Sequence, residues 1–288
     1  MNSQVLATLQ PGMVAVVGVP FDEHSSFLRG SALAPARIRH VLDSGETNWS
    51  AENGVDLGSD LRWQDLGDLE LGQGGVAFAD IEAAIGSLLD RGAYVLSLGG
   101  DHAITYPLVR AYSTRYQPLN VLHLDAHPDL YDEFEGDRYS HACPFARIME
   151  EGLASRLVQV GIRTMSPHQR AQAERFGVEV VGMRNWLPGH QFEFDGPVYL
   201  SLDLDVFDPA FVPGVSHHEP GGASVRDVLR LIHSLDAPIV GADVVELNPE
   251  RDVVDITAMV AAKLLKEIVA HMLASSPVVA QDGQIEER

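Results

Sequence analysis

Short apolar runs recur along the chain, each followed by a polar loop and then by a stretch with apolar residues at helical spacing. On this pattern strands are expected over residues 14–19, 61–66, 94–98, 119–125, 157–162, 178–181, 198–204 and 239–247. Helices are expected over 35–42, 76–91, 106–116, 141–151, 167–176, 225–235 and 256–273. Residues 43–60 read as a polar surface excursion, and the tail 275–288 as polar and frayed. The strands are apolar at successive positions, which suits a parallel sheet covered on both faces. Their count fits a (β/α)₈ barrel and an open three-layer sheet equally. No composition break or low-complexity linker divides the chain, so one domain is expected over 1–288, with its core at about 13–273.

Composition narrows the function classes. Acidic residues outnumber basic ones 41 to 20, for a formal net charge of −21. That balance argues against nucleic acid and anionic membrane as partners and suits a small cationic substrate. No apolar run approaches the roughly 20 residues of a membrane span. Cys143 is the one cysteine, which rules out an intramolecular disulfide and a thiolate zinc site. The opening residues MNSQVLATLQPG show no basic or arginine-rich presequence, so a cytoplasmic protein is expected.

The polar clusters fall where strands end, the place where open parallel sheets build their sites. Val121-Leu122-His123-Leu124-Asp125-Ala126-His127-Pro128-Asp129 sets three potential ligands at alternate positions, which share one side if the chain there is near-extended. Ser201-Leu202-Asp203-Leu204-Asp205 repeats the pattern, and two carboxylates that close need a cation or donor to neutralise them. Gly99-Gly100-Asp101-His102 and Asp243-Val244-Val245-Glu246 end two more strands. A single such cluster is most often an ordinary polar loop. Together His102, Asp125, His127, Asp129, Asp203 and Asp205 make six ligands, enough for two ions if carboxylates bridge. Oxygen and imidazole donors suit Mn²⁺, and also Ni²⁺ or Co²⁺.

GGDH, DAHPD, SLDLDVFDP and DVVELNP, in this order and at these separations, resemble the ureohydrolase family of arginases and agmatinases. The similarity runs from about Val16 to Lys266. GVPFDEHSSFLRG, HLDAHPDLYDEFEG, YSHACPFARIME and PGVSHHEPGG are most similar to its plant-type arginase branch. The resemblance implies an α/β/α sandwich around an eight-stranded, mostly parallel sheet, and two Mn²⁺ per subunit in a homo-oligomer, often a hexamer. It implies that His102, Asp125, Asp129 and Asp203 hold one ion, and that Asp125, His127, Asp203 and Asp205 hold the other. His141 matches the family's proton-shuttling histidine, and Glu246 the carboxylate that orients the guanidinium. Ala103 stands where GGDH is usually followed by serine.

The implied reaction is attack of a metal-bridging hydroxide on the guanidinium carbon of L-arginine, giving urea and L-ornithine. Agmatine, giving urea and putrescine, is the alternative substrate. The loop 130–140 is the expected reader of the substrate's far end, through Asp132, Asp137, Arg138 and Ser140, with its carboxylates for an amino group and Arg138 for a carboxylate. A single-zinc deacetylase-like enzyme would not need both His102 and His127. A non-catalytic homologue would have lost a ligand or His141, and none is lost.

Overall fold

The computed structural model describes residues 8–187 and 189–275. Residues 1–7 of the segment read for a targeting signal, and the tail from 276 on, lie outside the described residues. Among the described residues there are eight strands: β1 (Val14–Gly18), β2 (Trp63–Asp68), β3 (Tyr94–Leu98), β4 (Asn120–Leu124), β5 (Arg156–Ile162), β6 (Glu179–Gly182), β7 (Val198–Asp203) and β8 (Ile239–Val245). They form one sheet in the order β2-β1-β3-β8-β7-β4-β5-β6. Every neighbouring pair is parallel. The sheet is open, with β2 and β6 as edges, which removes the barrel alternative.

Alternate strand residues go to opposite faces, and each face has its own core. Val14, Val16, Leu122 and Leu124 pack with α1 (Ala34–Asp43), α6 (Val225–His233) and α7 (Ile256–Ser275). Ala15, Val17 and Val121 pack with α2 (Gly75–Leu89), α3 (Thr105–Ser113), α4 (Pro144–Glu150) and α5 (Pro167–Phe176). All residues of β1, β4, β7 and β8 are buried. Each fully buried Val or Leu there contributes about 1.5–3 kcal/mol, so the central strands are the rigid base on which the loops stand. Among the described residues no helix is long and apolar enough to cross a membrane.

Three expected elements shift for visible reasons. The second strand begins at Trp63, because Asp60 accepts the Arg62 backbone N–H at 2.9 Å and holds a turn that leaves Leu61 87% exposed. The helix expected from 141 begins at Pro144, whose fixed φ suits a first helical position, so His141 stays in the loop before it. The excursion 43–60 is tied down: Lys266 Nζ donates to Thr47 Oγ1 and the Asn48 carbonyl, and Leu57 is buried.

Candidate active site

The loops after β3, β4, β7 and β8 converge, and these four strands are neighbours in the sheet. Gly100 makes the convergence feasible. A Cβ there would lie 1.8 Å from the Phe21 carbonyl oxygen, so the residue is needed for close approach and not for a left-handed turn. The Gly100 carbonyl accepts the Glu246 N–H at 2.9 Å, and the Asp101 N–H donates to the Phe21 carbonyl at 2.9 Å.

The six candidate ligands come together, though not through an extended strand. β4 ends at Leu124, and Asp129 has φ +46°, so the chain curls where alternation was expected to continue. Likewise β7 ends at Asp203, and Asp205 sits on a 3₁₀ turn over Leu204–Val206. Asp203 caps that turn by accepting the Asp205 N–H at 2.7 Å. Glu246 also has a positive φ, +67°. Backbone strain on the order of 1 kcal/mol or more at such residues gathers at functional sites.

His102 carries the clearest signal. Ser201 Oγ donates its one proton to Asp243 Oδ1 at 2.8 Å, so toward His102 Nε2, 3.0 Å away, it can only accept. Nε2 therefore bears hydrogen, and Nδ1 of the neutral ring presents a lone pair. That lone pair faces oxygens of Asp125, Asp129 and Asp203 at 3.2, 3.1 and 3.1 Å. Nδ1 is buried and has no hydrogen-bond partner. Lone pairs facing lone pairs out of water require a cation between them. Without a metal the proton is the only candidate: burial opposes the charge on His102, yet the three carboxylates hold its pKa well above the ordinary value. Tyr199 and Thr105 also donate to Asp243, at 2.7 and 3.0 Å, and fix the chain of bonds behind the ring.

The second half of the cage is His127 Nδ1, 2.8 Å from Asp205 Oδ2 and 3.4 Å from Asp125 Oδ1. Burial works against the His127 charge, but Asp205 and Asp125 push its pKa up to about 12. Burial and the like charges of Asp205 and Asp125 push Asp203 well above the usual carboxylate range. Both shifts say the same thing: the cluster is short of positive charge. These residues fit divalent ions.

His123, Asp125 and His102 also bring donor atoms within 4.8 Å of one another. The Pro128 carbonyl, 2.6 Å from Gln159 Nε2, can only accept, which fixes the Gln159 amide. Its other hydrogen goes to His123 Nδ1 at 3.0 Å, so His123 Nε2–H donates to Asp125 Oδ2 at 2.8 Å. His123 orients a carboxylate instead of offering a lone pair. Arg163 acts similarly on backbone, donating to the carbonyls of Asp205, Phe207 and Glu219 and clamping the turn that carries Asp205. Gln159 and Arg163 carry no motif signal in the sequence.

Above the cage, His141 Nδ1 lies 3.0 Å from Glu246 Oε1, and the same oxygen accepts the His102 N–H at 2.9 Å. Burial opposes the His141 charge, but Glu246, with smaller help from Asp101 and Asp129, raises its pKa to about 9. Burial raises Glu246, but His141 and the His102 N–H more than offset this and hold its pKa below the ordinary value.

A cavity of about 340 Å³ opens over these groups, within the range of small-molecule sites. Its metal end is lined by His127, Asp129, Asp203, Asp205 and Glu246. Its far end is neutral, lined by Tyr131, Phe134, Thr164, Met165, Ser166 and Gln169. The four residues expected to read the far end do not line it. Arg147, on α4, donates to Asp132 at 2.9 Å, and Arg138 bonds Asp132 at 2.8 Å and Glu150 at 3.1 Å. Asp137 pairs with His24 Nδ1 at 2.6 Å, and the Ser140 carbonyl accepts the Cys143 N–H at 2.9 Å. Ion pairing within the loop and to α4 has consumed the charges that sequence alone leaves free. Among the described residues no lysine or arginine lines the cavity. The segment that replaces them is placed by α5, whose capping box joins Ser166 to Gln169. Among the remaining histidines, His217 lines the cavity with its ring 5.2 Å from that of His141.

Carboxylates and imidazoles gathered at the C-terminal edge of a parallel sheet, beneath a cavity, define a metal-dependent α/β hydrolase. The chain belongs to the arginase family, whose sequence model, described as Arginase family, matches residues 13–271. It is 47% identical over 281 residues to "Arginase 1, mitochondrial" of Arabidopsis thaliana, covering 90% of this chain and 80% of that one. It is 35% identical over 289 residues to a guanidinopropionase of Pseudomonas aeruginosa, covering 94% of this chain and 89% of that one. Among solved structures it is similar to an arginase from Medicago truncatula, at a TM-score of 0.85 and 42% identity, covering 93% of this chain and 90% of that one.

These relatives overturn the cytoplasmic expectation. Similar plant arginases are named as mitochondrial or chloroplastic enzymes. The expectation rested on the opening residues MNSQVLATLQPG, which lack a basic or arginine-rich presequence, and on the single cysteine. A compartment is set by an address read by receptors, and neither of those traits decides it.

Proposed function

We propose that the protein is an arginase, releasing urea and L-ornithine from L-arginine with two Mn²⁺ per subunit. The carrying observation is the buried lone pair of His102 Nδ1 facing three carboxylate oxygens, beneath a cavity that no lysine or arginine among the described residues lines. His102, Asp125, Asp129 and Asp203 would hold one ion, and Asp125, His127, Asp203 and Asp205 the other. When bound, such ions supply Lewis-acid activation of the attacking water at neutral pH.

The remaining work falls to side chains. The guanidinium is cationic and planar, and the Glu246 carboxylate at the cavity wall pairs with it and positions its carbon, an effect of orientation. Departure of an alkylamine needs a proton, and His141 holds one at neutral pH because Glu246 favours its charged form. His123 and Asp243 keep Asp125 and His102 in place from behind. The reading takes the chain as a single domain assembled into a homo-oligomer, up to a hexamer, which light scattering would measure.

Support for arginine comes from 47% identity to a plant arginase. Agmatine is the second reading, favoured by the lack of any lysine or arginine to meet an α-carboxylate. The deciding experiment is urea release by Mn²⁺-loaded protein with L-arginine and agmatine side by side. Preference for arginine is expected; preference for agmatine would overturn the substrate assignment while leaving the reaction class intact.

A further inference from the structure

Ser26 lies in the loop after β1, far in sequence from every candidate ligand, yet it lines the same cavity as His127, Asp203 and Glu246. Its Oγ is 2.8 Å from His141 Nε2. Both ring nitrogens of His141 are thus engaged, Nδ1 by Glu246 at 3.0 Å and Nε2 by Ser26. The loop is held there from both sides. His24 gives its carbonyl to the His141 N–H at 3.1 Å, while Asp101 accepts the His24 N–H at 3.0 Å and Ser25 Oγ at 3.2 Å. The charged and titratable groups around the ring are Glu246, Asp101, Asp129 and His217.

A charged imidazole in this setting donates Nδ1–H to Glu246 and Nε2–H to Ser26 Oγ, so neither of its protons points into the cavity. The Ser26 hydroxyl has accepted a hydrogen bond and has its own hydrogen free, with no protein acceptor among the described residues. Building on the arginase reading, we infer that Ser26 is the catalytic residue that hands the proton to the leaving nitrogen, relaying it from His141. The bond between the guanidino carbon and the alkyl nitrogen breaks, and its electron pair stays on nitrogen. That nitrogen takes the Ser26 hydroxyl proton, Ser26 Oγ takes the Nε2 proton, and neutral His141 regains a proton from solvent. Proton count and charge balance at each transfer.

The test compares Mn²⁺-loaded wild type, Ser26→Ala, Ser26→Thr, His141→Ala and the Ser26→Ala/His141→Ala double variant, with metal content measured for each. Ser26→Ala is expected to lower kcat by about 10- to 100-fold, the scale of general-acid contributions, with KM and metal content nearly unchanged. Threonine, which keeps the hydroxyl, should restore most of that loss. In the double variant the serine change should cost less than about twofold beyond His141→Ala, since members of one relay are not additive. Wild-type kcat in Ser26→Ala, or losses that multiply in the double variant, would overturn the relay while the arginase reading stands. A metal-loaded wild type that releases urea from no guanidino compound would overturn both.

Discussion

The two ends of the cavity are built on opposite principles. At the metal end the side chains are buried, carry charge and are held from behind: Asp243 supports Ser201 and through it His102, and Gln159 supports His123 and through it Asp125. At the far end Tyr131, Phe134, Thr164, Met165 and Ser166, on loops around α5, and Gln169, in its first turn, are neutral. On the proposed reading the first arrangement would fix a reaction type, because its geometry depends on the order of central strands. The second would select a substrate, and loops can change it without disturbing the sheet. Curated relatives that include both arginases and a guanidinopropionase are what such a division would produce.

Breaking the metal end should have the largest effect. Asp125→Ala or Asp203→Ala is expected to lose bound metal and at least about 10³-fold in kcat, the scale expected when Lewis-acid activation is removed. Metal analysis showing both ions retained would contradict their roles. His141→Ala should keep its metal and lose about 10²-fold in kcat, in line with loss of a general acid. Its pH profile follows from the raised pKa. The donating form is the protonated one, so kcat should hold at neutral pH and fall as pH rises through about 9. The stability gained from the His141 and Glu246 pair has the same sign: full below the unfolded value near 6.5, lost through about 9.

Glu246→Gln removes a charge-assisted bond to the guanidinium, worth about 1.5–3 kcal/mol, and kcat/KM should fall by the matching ten- to hundredfold. The smallest effects sharpen the comparison. Gln169→Ala should move the ratio of arginine to agmatine turnover by up to about tenfold, the worth of one neutral hydrogen bond. Asp132→Asn and Arg138→Ala, whose exposed ion pairs are worth about 0–1 kcal/mol, should leave that ratio within twofold. A larger shift from Arg138 than from Gln169 would give the reading to the charged residues of the 130–140 loop.

The sequence was most legible where period and motif agree. Strands with continuous apolar runs, such as β3 and β4, stand within a residue of expectation, and their C-terminal ends marked the ligand loops. The parallel sheet follows from that pattern, while the strand order does not, since pairing between β3 and β8 is a long-range event. The local reason offered for the ligand pattern failed even though the six side chains do come together. Asp129 and Asp205 reach the cage by a curl and a 3₁₀ turn, and alternation along a strand does not carry past Leu124 or Asp203. The far end was misread because charge in a sequence looks free. Only the fold reveals that Arg147 reaches back from α4 to capture Asp132. Ser26 and Gln169 are ordinary residues in sequence, and only the fold sets them at the cavity wall.

The sheet order also has a consequence for folding. The strands carrying His102, Asp125 and Asp203 enter third, fourth and seventh along the chain, and β8 and β7 separate β3 from β4 in space. Five of the six donors end or follow β4 and β7, which are direct neighbours, but His102 follows β3 and joins them only when the last strand slots in between β3 and β7. An ion that needs all six donors binds the finished fold alone. At a hundredfold excess over its dissociation constant it adds about 2.7 kcal/mol to the native state. Chelation would then be felt as a loosening of the whole molecule, and metal supply would decide how much of the newly made chain survives to work.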